Sequence, residues 1–368
     1  MCGLFGFVRA SRDETPERAS AVFVALGRLA EQRGRDAAGF ALGTGTGRCH
    51  VVKATGSFTS LWQRRYLPAV HLAPVALAHT RHASQGAADR LANAAPLVVG
   101  AGLVGTYNGD IDAADIVRRL PPGLPEPQGD TDSEPLLLAL DRARGDLGAV
   151  CEVLSAMHGP AALAWVDPAR PCLVFLARAA LCPLALAWDR QGNLFWGSSP
   201  AWFRRLDAQA RGRLGFQVER VGEGTVLAVA AGEAPTVVAA RSFTPVARPG
   251  DAKRFPSIWA GLDPGDIAAF RAETRHRTRP RSPASGAGPD GGRAGAPRPA
   301  DRRAGRQQMA AADRRPRTGG GQGGGRRPCP AARRAPPGAG ALRRPAAPHR
   351  AGRRPAAAAG PSAGGSSA

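Results

Sequence analysis

Met1-Cys2-Gly3-Leu4-Phe5-Gly6-Phe7-Val8 opens the chain. The uncharged run Gly3–Val8 reads as a short buried strand, and Cys2 stands directly before it. Cys2 has a small side chain, which favours removal of Met1. The exposed terminus then carries a thiol and a free α-amino group on one residue. A thiol is a weak nucleophile near neutral pH, whereas an α-amine with an ordinary pKa of about 7.7–8.0 can take its proton. Nucleophile and general base are thereby combined. By itself a cysteine in second place is only a small hydrophobe, so its role is decided by residues further along the chain.

Working outward, Thr15-Pro16 predicts a helix start with Thr15 as N-cap, Val22, Leu26 and Leu29 give its apolar face, and Gly34 is its stop signal. Strands are expected at 39–42, 51–54, 75–79, 96–99 and 103–106. Helices follow at 112–120, 133–144 and 147–157, and strands resume at 161–166, 173–177, 184–188, 194–196 and 225–229. Many antiparallel-looking strands with helices grouped between them point to an α+β layered domain. Residues 2–245 are read as that domain, 246–280 as a short extension or linker with a helix near Asp263-Pro264, and 281–368 as a disordered tail.

Charge supports the division. The 368 residues carry 50 Lys and Arg against 29 acids, but residues 251–368 hold 24 of the bases and only 7 of the acids. The strongly basic balance therefore belongs to the tail. From Arg281 onward there is one Leu, one Met and no Ile, Val, Phe, Trp or Tyr, too little apolar surface to offset chain entropy. The tail has no aromatic residue to stack on a base and no RGG-type repeat, so nucleic-acid binding is not the favoured reading. A solvated tail, or out-of-frame translation that replaced a further domain, fits its Arg/Pro/Gly/Ala composition. The six cysteines form no CxxC pair, so neither a metal site nor a disulfide framework is suggested, and no cofactor is implied. Apolar runs are too short to span a membrane, and the start lacks a signal peptide's core. A cytoplasmic location with reduced thiols is expected.

Four motifs border predicted strands: Arg33-Gly34-Arg35-Asp36-Ala37-Ala38-Gly39, His79-Thr80-Arg81-His82-Ala83-Ser84-Gln85-Gly86, Thr106-Tyr107-Asn108-Gly109-Asp110 and Gly129-Asp130-Thr131-Asp132-Ser133-Glu134. Together with Cys2, and in this order, they resemble the class II glutamine amidotransferases, whose N-terminal-nucleophile glutaminase domain occurs in amidophosphoribosyltransferase and glucosamine-6-phosphate synthase. The resemblance covers residues 2 to about 240 and includes the later segments ARAALCPLALAWD and LFWGSSPAWF. It implies an N-terminal-nucleophile hydrolase fold, an αββα four-layer sandwich of two antiparallel sheets. It also implies hydrolysis of L-glutamine to glutamate and ammonia through a γ-glutamyl thioester on Cys2, the ammonia passing to an acceptor site. No acceptor-site motif is found in this chain, so a separate synthase subunit is one expected partner.

The chemistry suits these residue types. Arg81 offers a planar fork for the α-carboxylate of glutamine. Asp132 offers a carboxylate for its ammonium, and reads equally as the N-cap of the helix at 133. Asn108 and Gly109 match the oxyanion pair of the family, although Asn-Gly alone reads as a hairpin turn. Arg33 and Gly34 are implied to steady Cys2, and read equally as the end of the first helix. His82 is a loop histidine with no assigned role in proton transfer. The chain departs from the family pattern at Tyr107 (usually His), His82 (Trp or Tyr), Ala95 (His) and Ala179 (Asp). Two other readings stay open here: a hydrolase of larger γ-glutamyl amides, and a non-catalytic glutamine-binding protein whose basic tail contacts nucleic acid.

Overall fold

The computed structural model describes residues 1–278 apart from 45–46, 113–117, 119–122 and 124. The body of the helix expected over 112–120 and the whole tail 281–368 lie outside the described residues. The strands are β1 Gly3–Val8, β2 Ala37–Gly43, β3 Cys49–Thr55, β4 Val75–Arg81, β5 Leu97–Val99, β6 Leu103–Gly109, β7 Ala161–Val166, β8 Leu173–Arg178, β9 Ala185–Trp188, β10 Leu194–Gly197, β11 Gln217–Arg220, β12 Thr225–Ala230 and β13 Thr236–Ser242. The longer helices are α1 Pro16–Ala30, α2 Ser133–Ala143, α3 Leu147–Ala156, α4 Pro200–Gln209 and α5 Pro264–Thr278.

Two antiparallel sheets result, one ordered β11-β9-β10-β1-β4-β2-β3 and the other β13-β12-β8-β7-β6-β5. Alternation along each strand assigns its two faces. Leu4, Val8, Ala41 and Leu77 of the first sheet meet Val104, Ala162, Ala164 and Leu176 of the second in one apolar layer. The opposite face of the first sheet, with Phe5, Phe7, Phe40 and Ala78, packs on Val22, Phe23 and Leu26 of α1. The outer face of the second sheet, with Leu103, Leu163 and Trp165, packs on Leu136 and Leu140 of α2 and Val150 and Leu154 of α3. The layering is helix, sheet, sheet, helix.

β1 is the keystone because it lies between β10 and β4 with every residue buried. Phe5 and Phe7 meet Phe23 at ring-centroid distances of 5.4 and 5.6 Å. Each such buried ring contributes ~1.5–3 kcal/mol, which pins the strand that begins directly after Cys2.

Several local expectations change. Thr15 makes no side-chain cap; its hydroxyl bonds Asp13 instead. Gly34 does not end α1, which stops at Ala30 with no left-handed residue there. β6 runs three residues further than the spacing predicts, through Tyr107, Asn108 and Gly109. The segment 246–280, expected as an extension or linker, makes extensive contacts with the layers over its described side chains. Arg248 pairs with Asp110 at 2.9 Å, and Ile258, Trp259 and Phe270 enter the inter-sheet core. No helix among the described residues is long and apolar enough to cross a membrane.

Candidate active site

The strand ends that result from this topology meet at one end of the inter-sheet layer. Cys2 shares the face of Leu4 and Val8, so its side chain points between the sheets. It is 8% exposed. Its Sγ accepts the His82 N–H at 3.4 Å and lies 3.5 Å from the His82 carbonyl oxygen. Burial pushes the Cys2 thiol up, and the nearby α-amine and His82 N–H partly offset this. Met1 is attached and buried; its α-amine donates to Ser257 Oγ at 3.4 Å, and burial lowers the amine's pKa.

Arg33 is buried rather than solvated at a helix end. Its Nε donates to the Cys2 carbonyl at 2.7 Å, and its Nη1 to the carbonyls of Ile258 (3.0 Å) and Ala260 (2.6 Å). Burial lowers the guanidinium to about 10. Next to it, Gly34 is set by close approach: a Cβ there would lie 2.3 Å from the Arg81 carbonyl carbon and 2.4 Å from the His82 nitrogen. Only glycine lets the backbone pass the peptide that touches Cys2 Sγ.

Arg81, the last residue of β4, is buried and turned under the loop beyond it. Nη1 donates to the carbonyls of Ala87 (2.9 Å) and Ala88 (3.4 Å), Nη2 to those of Gln85 (2.7 Å) and Gly86 (3.1 Å). The guanidinium thus gathers the loop. Asp36 and Asn93 fasten the same loop, Asp36 accepting the Ala83 N–H at 2.7 Å and Asn93 donating to Ala87 O at 2.9 Å. The His82 side chain points outward, its Nδ1 3.7 Å from Asp36 Oδ2.

Asn108 is fully buried, and among the described residues neither its Nδ2 nor its Oδ1 has a partner. It shares the face of Val104, so it too points between the sheets. The Asn-Gly pair is strand rather than turn: Asn108 and Gly109 stand opposite Ala162 and Ala161. Ala161 spends its N–H and C=O on β8 and the residues just beyond it, bonding Ala180 and Ala179. Ladder alternation therefore turns the Gly109 N–H away from β7, toward the open edge of β6. On that edge the Tyr107 carbonyl accepts His79 Nε2 at 2.7 Å.

Asp132 is buried, and its carboxylate does not cap α2. Its Oδ2 accepts the Tyr107 hydroxyl at 2.8 Å and the Ile111 N–H at 2.9 Å. Burial raises it to about 6. A carboxylate held by a neighbouring strand cannot also fold back on its own helix, which is why the expected cap is missing. Its neighbour Asp130 is exposed beside Arg90. Cys2 and Asp132 are near enough for their charges to interact.

Sequence reasoning gives His79 no role and treats Tyr107 only as a departure. The signal for His79 is its place in a strand whose preceding odd positions are apolar. The arrangement offers a buried thiol beside a terminal amine, an idle buried amide, an outward strand N–H and a carboxylate fixed by a hydroxyl. That set suits attack on a carbonyl carbon with stabilisation of the oxyanion.

No family model matches the sequence, and neither does any curated protein. Among solved structures, the chain is similar to the glutamine phosphoribosylpyrophosphate amidotransferase of B. subtilis in complex with ADP and GMP, with a TM-score of 0.50 and 20% identity over 66% of this chain and 49% of that one. It is equally similar to a structure described as the allosteric regulatory enzyme of purine biosynthesis, with a TM-score of 0.51, 21% identity and the same coverage. The fold is that of the N-terminal-nucleophile hydrolases. The chain spans about half the length of these two structures.

Within the N-terminal-nucleophile fold, two departures have local explanations. Tyr107 supplies the hydroxyl that holds Asp132. Ala179 leaves Arg178 without an adjacent carboxylate, and the fully buried Arg178 pairs instead with Glu273 of α5 at 2.5 Å while donating to Cys182 O and Val221 O.

Proposed function

We propose that this domain hydrolyses L-glutamine to glutamate and ammonia, as the glutaminase part of a class II glutamine amidotransferase. The observation that carries the reading is Asn108. A buried amide with donor and acceptor both idle costs about 1–3 kcal/mol per unmade bond, and strand alternation turns this one between the sheets, the side to which Cys2 also points.

Removal of Met1 transfers the terminal amine to Cys2 itself. That amine takes the thiol proton, and the thiolate adds to the δ-carbon of glutamine. Asn108 Nδ2–H and the Gly109 N–H hold the oxyanion. Collapse of the tetrahedral adduct breaks the C–N bond, the ammonium of Cys2 protonates the departing nitrogen, and a γ-glutamyl thioester remains. Water, deprotonated by the same amine, cleaves the thioester and frees glutamate and Cys2. Asp132 pairs with the substrate ammonium. Arg81 pairs with the α-carboxylate by exchanging loop carbonyls for it. Arg33 and Gly34 fix the peptide segments flanking Cys2. Asp36 and Asn93 keep the loop 82–88 fastened when Arg81 turns to substrate, which favours a free amino acid over a bulky γ-glutamyl amide. Ammonia goes to a synthase site outside residues 1–278, on a separate subunit or in chain beyond the domain.

The test is glutamate release by purified protein whose mass shows Met1 removed. Cys2→Ala is expected to abolish it, and a one-residue extension before Cys2 is expected to do the same by acylating the amine. Hydrolysis that persists in either variant sinks the reading.

A further inference from the structure

His79 lies in β4 opposite Leu4 of β1 and Gly39 of β2, fully inside the first sheet. Its side chain crosses the inter-sheet layer and meets the second sheet at the Tyr107 carbonyl, 2.7 Å away. Among the described residues this is the hydrogen bond that joins a strand of one sheet to a strand of the other. Most of the layer is apolar, and apolar packing is non-directional; the buried Arg178 of β8 adds a second polar tie, donating to Val221 O at 2.7 Å just beyond β11. Arg178 acts where β8 faces β11, so where β4 faces β6 the His79 bond is what fixes the two sheets directionally.

The bonded carbonyl occupies a telling place. It belongs to the peptide that leads into Asn108, and it lies on the same open edge of β6 as the Gly109 N–H. β4 in turn pairs directly with β1, with Thr80 opposite Gly3, one residue beyond Cys2. One imidazole therefore spans the strand bearing the thiol's neighbours and the strand bearing both oxyanion donors. A carbonyl can only accept, so Nε2 carries the proton and Nδ1 is bare. Among the described residues that Nδ1 has no partner, so there the ring serves this contact alone. Burial keeps the imidazole neutral, lowering it to about 4.

We infer that His79 is a positioning residue which, by clamping the Tyr107 carbonyl, sets the distance between the Cys2 sulfur and the Asn108–Gly109 oxyanion donors. This rests on the glutaminase reading. Catalytic constellations tolerate misplacement of roughly 0.5 Å, and a 1 Å error costs on the order of 100-fold in rate. A lost clamp consequently acts on the chemical step rather than on substrate binding.

The experiment compares wild-type protein, His79→Leu and His79→Gln. Leu keeps the bulk and loses the donor, whereas Gln restores an amide N–H at similar reach. His79→Leu is expected to lose on the order of 100-fold in kcat, with KM and the rate of Cys2 alkylation by iodoacetamide unchanged. Alkylation needs the thiol but no oxyanion donors, so a collapsed site slows it and a misplaced strand does not. His79→Gln is expected to regain most of the kcat. Nitrogen-15 spectra of the wild-type imidazole are expected to show a neutral ring with the proton on Nε2. Wild-type kcat in His79→Leu, a parallel fall in alkylation, or a proton on Nδ1 overturns the inference. If His79→Leu does not fold, the wild-type spectra decide. If wild-type protein releases no glutamate, the glutaminase reading is what fails, and the spectra still decide whether the clamp exists.

Discussion

Replacing Tyr107 by Phe deletes one hydroxyl and leaves the ring in its packing against α2. That hydroxyl is one of two donors to Asp132 Oδ2, the other being the Ile111 N–H. A hydrogen bond to a charged group contributes about 1.5–3 kcal/mol, and about 1.4 kcal/mol moves a pKa by one unit. Losing it therefore raises Asp132 by roughly one to two units from its present value of about 6. At pH 7 a carboxyl titrating at 6 is about nine-tenths ionised, while one at 7 to 8 is about one-half to one-tenth ionised. Only the ionised form pairs with the substrate ammonium. KM for glutamine should thus rise roughly two- to tenfold at pH 7 in Tyr107→Phe, with kcat little changed, and the gap should close toward pH 9. Wild-type KM should itself rise as pH falls through about 6. Steady-state glutamate release measured from about pH 5.5 to about pH 9 checks both curves. A variant whose KM matches wild type throughout, or whose loss is confined to kcat, refutes the pairing of Asp132 with substrate.

Asn108→Ala should lower kcat by ~100- to 1000-fold with KM nearly constant, as removal of one oxyanion donor does; an unchanged kcat argues against the oxyanion assignment. Arg33→Met leaves two buried carbonyls and the part-buried one of Ala260 without their donor, so a loss of ~2–3 kcal/mol or more in denaturant-measured stability is expected. A variant as stable as wild type would show that those bonds contribute nothing net. Gly34→Ala drives a methyl into the Arg81–His82 peptide, and should cost ~1–3 kcal/mol and slow Cys2 chemistry together; retention of both would mean the peptide yields freely. Acid stability divides between two buried groups. His79 takes its proton at about 4 when folded and 6.5 when free, so only the unfolded chain gains it on acidification, and about 3 kcal/mol is lost between pH 6.5 and 4. Asp132 has the opposite sign, its folded value of about 6 lying above the ordinary 3.8, and acid returns about 3 kcal/mol over nearly the same range. Asp132→Asn should unmask the His79 loss, giving a steeper fall in stability below pH 6.5 than wild type; parallel curves would contradict it.

The order of short motifs was enough to nominate the residues around the strand ends, because period-two alternation then aims Cys2, His79, Arg81 and Asn108 to one side. Partnering was not legible. Asp132 precedes a helix and reads as its cap, but a tyrosine 25 residues earlier in the chain takes the carboxylate. Asn108-Gly109 reads as a turn because the dipeptide favours one locally, whereas pairing with Ala161–Ala162 extends the strand. Gly34 looks like a helix stop, yet its reason is a backbone more than 40 residues away. Strands β11 and β13 escaped because Gln217–Arg220 and Thr236–Ser242 are edge segments with largely exposed side chains, so burial imprints no alternation on them. Helix α4 escaped because it is short: its buried stripe of Trp202, Phe203 and Leu206 spans little more than one turn, too little for a helical period to stand out.

Met1 is 2% exposed, with its nitrogen against Ser257 beneath a stretch whose carbonyls Arg33 grips. An aminopeptidase must thread a free, extended end into its own cleft, and the folded chain with Met1 in place buries that end. On the glutaminase reading, Met1 is therefore expected to leave before residues 255–262 dock, some 250 residues later in synthesis. On that reading a chain that closes untrimmed stays inactive until it unfolds, and the yield of competent protein follows the race between peptidase and folding.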